Sequence, residues 1–142
     1  MPKVAIATAV FLGAGCAAAA PKDPPPTVPG VMSAPPPAWI ETRGGDRWLA
    51  FSDYCWTTTC IDSRPFDQRK DIPRIAVDAG EVVRFHLGFK PSKLWVERGD
   101  KTYPLRYLRV ARWRVRGAGR FIELYALKTG FRAQYVARIR VR

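Results

Sequence analysis

From residue 38 onward, apolar and polar positions alternate in short runs separated by turn residues. The clearest run covers residues 81–89: Val83, Phe85, Leu87 and Phe89 fall on one side of a two-residue period, and Arg84 and His86 on the other. That period places successive side chains on opposite faces of a strand. Residues 38–42, 47–56, 74–77, 93–98, 103–115, 121–127 and 134–141 read as further strands, rich in β-branched and aromatic side chains. Gly44-Gly45-Asp46, Asp78-Ala79-Gly80 and Gly99-Asp100 punctuate them as turns. Residues 62–73, polar and bearing Pro65 and Pro73, read as a loop. No stretch sustains a 3.6-residue period behind a capping residue. The pattern predicts an all-β domain over residues 38–142, an antiparallel β-sandwich of about seven or eight strands.

The first 37 residues follow other rules. Lys3 supplies a positive charge, residues 4–12 are uncharged and mostly apolar, and Gly13-Ala14-Gly15-Cys16 closes the segment with small residues. These are the parts of an export signal. The apolar run falls short of the roughly 20 residues of a membrane span. Leu12-Gly13-Ala14-Gly15-Cys16 resembles the lipobox of bacterial lipoproteins, with Gly13 in place of the usual Leu. The resemblance implies removal of residues 1–15 and a lipid on Cys16, hence a protein held at the cell envelope. The alternatives are cleavage within residues 17–20, which yields a soluble secreted or periplasmic protein, and a retained anchor. Residues 16–37, with two Pro-Pro-Pro runs, form a Pro/Ala-rich linker. Polyproline geometry extends such a linker by up to roughly 65 Å.

With Cys16 lipidated or removed, Cys55 and Cys60 remain as an even pair, and export to an oxidising compartment permits a disulfide. The five-residue spacing and the lack of a helix favour a hairpin staple over a redox-active pair.

Charge adds the strongest feature. The chain of 142 residues carries a net +12. Residues 106–142 hold ten arginines and one lysine against a single acid, Glu123. Arg112, Arg114 and Arg116 alternate with Trp113 and Val115, and Arg138, Arg140 and Arg142 alternate with Ile139 and Val141. Each trio therefore occupies one strand face, and if the two strands are sheet neighbours the six form one basic plate. Such a plate suits an anionic membrane surface or cell-wall polymer, or a protein partner. A solvated strand face that discourages edge pairing is the simpler reading. Export and the lack of an RNA-binding signature disfavour nucleic acid.

Two further resemblances bear on fold. The spacing of Trp113, Gly119, Phe121, Gly130, Tyr135 and Val141 is similar to the end of many immunoglobulin-like domains. Tyr54-Cys55-Trp56, then Cys60-Ile61-Asp62 and Ala79-Gly80-Glu81, resemble small exported bacterial proteins with a Tyr-Cys-Trp…Cys hairpin before a sandwich. That likeness implies an immunoglobulin-like architecture and export, and brings no activity with it.

Catalytic chemistry finds little support. His86 is the one histidine. An envelope hydrolase would need it beside an acid and a nucleophile such as Ser52 or Ser63, and no nucleophile elbow is present. Asp53 and Asp62 flank the hairpin as turn acids. Gly117-Ala118-Gly119 lacks the Lys-Ser/Thr of a phosphate loop. No metal site and no cofactor are expected, and the protein reads as a non-enzyme.

Overall fold

The structure, a computed structural model, describes residues 19–27 and 33–142. The segment expected to be an export signal, Cys16, and residues 17–18 and 28–32 of the expected linker lie outside the described residues.

Among the described residues, eleven strands form two sheets. The smaller contains β1 (Trp39–Thr42), β2 (Gly45–Trp48), β6 (Val82–His86) and β9 (Ala111–Arg114), in the order β2-β1-β6-β9. The larger runs β4-β3-β11-β10-β7-β8, from β3 (Ala50–Trp56), β4 (Thr59–Ile61), β7 (Lys93–Arg98), β8 (Lys101–Leu105), β10 (Phe121–Lys128) and β11 (Phe131–Val141). Its seventh strand, β5 (Arg74–Val77), lies beside the C-terminal half of β11 in a parallel pairing.

The domain is thus the β-sandwich that the alternation predicts, with more strands than eight. The run 47–56 breaks into β2 and β3, and 103–115 breaks into β8 and β9 around a turn at 106–110. The Cys55–Cys60 hairpin adds β4. A broken run keeps its apolar composition, so composition alone does not reveal the break.

Inward side chains of both sheets meet in one core: Ile40, Val83, Phe85 and Trp113 from the smaller sheet, Tyr54, Val96, Ile122, Leu124 and Tyr135 from the larger. Residues 133–137 of β11 are buried on both faces. Their outer face is covered by the 62–73 loop, whose Phe66 and Ile72 pack with Ala50, Phe121 and Val136. The end of the linker also belongs to the packed body: the buried Tyr135 hydroxyl donates to the Pro36 carbonyl at 2.7 Å.

Cys55 and Cys60 are cross-strand partners with Cα atoms 4.1 Å apart, joined in a disulfide. The turn above them holds Thr57 at φ 53, which a β-branched residue avoids. Closing so small a loop contributes about 2 kcal/mol in the chain-entropy account, and it keeps this strained turn in place.

Candidate anion-binding site

The six arginines of the expected plate do not lie together. β9 pairs with β6, whereas β11 pairs with β10, β3 and β5, so the two trios sit in different sheets with the core between them. The alternation holds through the first trio, where Arg112, Arg114 and Arg116 are exposed while Ala111, Trp113 and Val115 are buried; in the second, Ile139 is buried but Val141 is exposed. Several of the six are already engaged. Arg114 donates to the Gly80 carbonyl at 2.9 Å, the Arg116 guanidinium lies 4.6 Å from the Tyr103 ring centre, and Arg142 pairs with Asp78 at 3.2 Å.

Arg138 and Arg140 are placed differently. Parallel pairing sets Arg138 in register with Arg74 of β5, and Arg140 with the small Ala76. On the other side Arg138 is opposite Phe121 of β10, and its guanidinium lies over that ring at 5.2 Å. Phe121 is backed in turn by Phe66, ring centres 5.2 Å apart. Arg120, just before β10, is tied to β11 through its carbonyl, which accepts the Ile139 N–H at 2.8 Å. The result is a cleft of about 560 Å³ lined by Arg74, Arg120, Arg138 and Arg140, with Ile75, Ala76 and Ile139 completing it.

No carboxylate lines this cleft. The nearby Asp78 is engaged by Arg142 and by Arg43, the latter at 4.0 Å. Nε of Arg138 is buried with no hydrogen-bond partner. Like charges side by side across strands are destabilising, and a buried donor without a partner costs about 1–3 kcal/mol. Planar guanidinium forks match phosphate and carboxylate oxygens in pairs.

Sequence reasoning singled out Arg138 and Arg140, and missed Arg74. Arg74 is the lone charge of a four-residue strand that it opens, and nothing local says that this strand lies parallel to β11.

A second cluster on the outer face of the larger sheet also went unseen. Glu97 of β7 and Glu123 of β10 are direct cross-strand partners. Trp95 donates to Glu97 at 3.1 Å, Tyr125 donates to Glu123 at 3.2 Å, and the two rings stack 5.1 Å apart. The spacings Trp-x-Glu and Glu-x-Tyr were the available signal. Burial, then repulsion from Glu97 and Asp53, outweigh the Tyr125 hydrogen bond and push the Glu123 carboxyl above its ordinary value. A carboxyl whose pKa rises on folding binds its proton more tightly in the folded state, so stability falls as pH climbs from the unfolded to the folded pKa. Glu123→Gln is therefore expected to stabilise the protein by about 0.5 kcal/mol near pH 7, the scale of an adverse cross-strand pair. The gain should fade as pH falls below about 4, where Glu123 takes up its proton in the folded and the unfolded state alike. Urea titrations at the two pH values check this, and an equal gain at both would refute it.

His86 does find an acid: its Nε2 lies 2.9 Å from Glu41 Oε2, and the imidazole stacks on Trp39 at 3.7 Å. Glu41 also meets Arg84 at 3.7 Å. The pair lies on the face of the smaller sheet. Ser52 is buried in β3 of the other sheet, and the Ser63 N–H donates to Asp53, so neither serine reaches His86. Asp62 makes no hydrogen bond or ion pair with the imidazole. Among the described residues, no group of three or more His, Cys, Asp or Glu side chains is arranged to hold a metal ion, and no helix is long and apolar enough to cross a membrane.

Comparison with family models, with curated proteins and with solved structures finds no match to this chain.

Proposed function

We propose that this chain is an exported, lipid-tethered, non-enzymatic module whose arginine cleft holds a phosphate-bearing group of the cell envelope, on a headgroup or a wall polymer. One observation carries the binding part: Arg74, Arg120, Arg138 and Arg140 line a single cleft without an acid among them, and the buried Nε of Arg138 has no protein partner. Phosphate is favoured over carboxylate because four guanidiniums offer more donors than one carboxylate accepts. The export part is supported by the composition of residues 1–16 and by the Cys55–Cys60 disulfide, a bond that persists in oxidising compartments.

The test uses inorganic tripolyphosphate and, separately, vesicles of phosphatidylglycerol in phosphatidylcholine. The double variant Arg74→Glu/Arg140→Glu should bind tripolyphosphate about a hundredfold more weakly, the worth of two charge-assisted hydrogen bonds. Arg112→Glu/Arg114→Glu, on the opposite sheet, should bind as the parent does. Binding to vesicles but not to tripolyphosphate would assign the phosphate to a headgroup. If both double variants weaken equally, or neither does, the cleft is not the site. The mass of the mature N-terminus tests the tether: a diacylglycerol adduct on Cys16 is expected, and an unmodified N-terminus within residues 17–20 would remove it.

A further inference from the structure

A second cleft lies on the flank of the sandwich, between the β3–β4 hairpin and the 62–73 loop. It encloses about 650 Å³, and its lining combines Phe51, Tyr54 and Ile61 with Arg64, Arg69 and Lys70, together with Pro26 and Thr27 of the linker. Two features set it apart from an ordinary surface groove. The Tyr54 side chain is 1 % exposed, and its hydroxyl is buried without any hydrogen-bond partner. Nη1 of Arg69 is likewise buried and unpartnered, although Nε and Nη2 of the same guanidinium fork onto Asp71 at 2.9 and 2.6 Å.

Buried polar groups are almost always paired, and each exception calls for a physical account. Here the residues that carry these two exceptions, Tyr54 and Arg69, both line the same cleft. Asp71 fixes one edge of the Arg69 guanidinium, so the remaining edge is pre-oriented and gives up little freedom on binding. Burial pushes the Tyr54 phenol above its ordinary value, so it remains a donor through the physiological range. Asp71 is the one carboxylate among the lining residues and is taken by Arg69, so Arg64 and Lys70 leave the cleft cationic.

We infer that this flank cleft is a ligand site, distinct from the arginine cleft, for a small amphiphilic carboxylate. The acid head is held by the free edge of Arg69 and the Tyr54 hydroxyl, and an apolar tail lies against Phe51 and Ile61. A carboxylate suits the pair of donors because it accepts at two oxygens, and the apolar wall supplies the contact area that inorganic anions do not use.

The experiment is amide chemical-shift mapping of the intact domain with 4-phenylbutyrate, with its neutral analogue 4-phenylbutanol as the comparison. Phenylbutyrate should shift resonances of Phe51, Tyr54, Ile61 and Arg69 and saturate; phenylbutanol should bind at least fivefold more weakly. Tyr54→Phe should lower phenylbutyrate affinity about fivefold, the worth of one hydrogen bond, while leaving the urea midpoint unchanged or raised, because it removes a hydroxyl that has no partner. Arg64→Glu/Lys70→Glu, both at exposed positions, should weaken the acid and not the alcohol. Arg74→Glu/Arg140→Glu should leave this binding intact, which separates failure here from failure of the arginine cleft. The inference is overturned if neither probe shifts the cleft resonances, if acid and alcohol bind alike, or if Tyr54→Phe lowers the urea midpoint and leaves affinity unchanged.

Discussion

Tyr135→Ala is expected to remove about 4 kcal/mol of folding stability, the usual cost of deleting a buried aromatic ring. Tyr135 is fully buried at the centre of β11, between the pairings with β10 and β3. Its ring lies 5.7 Å from that of Phe51, and its hydroxyl ties the body of the sandwich to Pro36. Burial pushes the phenol far above its ordinary value, so the hydroxyl stays a donor at any pH the protein meets. Truncation leaves a cavity between strands already held by ladders on both sides, which limits collapse around it. For a domain of this size the loss corresponds to a fall in Tm on the order of 15 °C. Tyr135→Phe keeps the ring and drops the hydrogen bond, and should cost about 1 kcal/mol. Urea unfolding of the two variants separates packing from the tether to Pro36. Equal losses would show that the ring contributes nothing beyond its hydroxyl.

Glu81→Leu is expected to cost about 3 kcal/mol. Glu81 is 2 % exposed. Its two carboxylate oxygens accept the backbone N–H groups of Arg43 and Asp78, each at 3.2 Å. Its own N–H donates to Asp78 at 3.1 Å, and its carbonyl accepts Val115 at 2.8 Å. One residue thus joins the β1–β2 turn, the turn after β5 and the end of β9. Leucine removes the carboxylate from two part-buried backbone donors, and a hydrogen bond to a charged group contributes about 1.5–3 kcal/mol. Glu81→Gln retains one acceptor oxygen and should lose about half as much. Hydrogen exchange should quicken at the amides of Arg43 and Asp78 in the leucine variant. A variant within about 0.5 kcal/mol of the parent, with those amides still protected, would show that the carboxylate is not the clamp.

Glu81 also shows where sequence reading reaches its limit. In the linear chain it is an acid at the start of an alternating run, next to a turn, and acids in such places are usually solvated. Its burial depends on the β1–β2 turn and the end of β9, which lie far away in sequence. The same holds for Glu97 and Glu123, separated by more than twenty positions yet directly opposed. Strand alternation, by contrast, was legible residue by residue: Val83 and Phe85 face the core while Arg84 and His86 do not, as the two-residue period requires. The Cys55–Cys60 hairpin was legible for the same reason, because both partners and the turn lie within a single short stretch.

The sequence by itself determined the class of the domain, the faces of the clearest alternating runs such as 82–86 and 111–116, the hairpin disulfide and the concentration of positive charge near the C-terminus. These follow from local period and spacing, which any strand obeys wherever it is placed. Only the tertiary structure decided which strands are neighbours. It separated Arg112, Arg114 and Arg116 from Arg138 and Arg140, brought Arg74 beside Arg138 through a parallel pairing, and set Ala76 opposite Arg140 where a larger side chain would fill the cleft. The physical reason is that strand order is chosen by how two apolar faces close over a shared core. That choice sums many distant contacts, and no single window of the chain contains it.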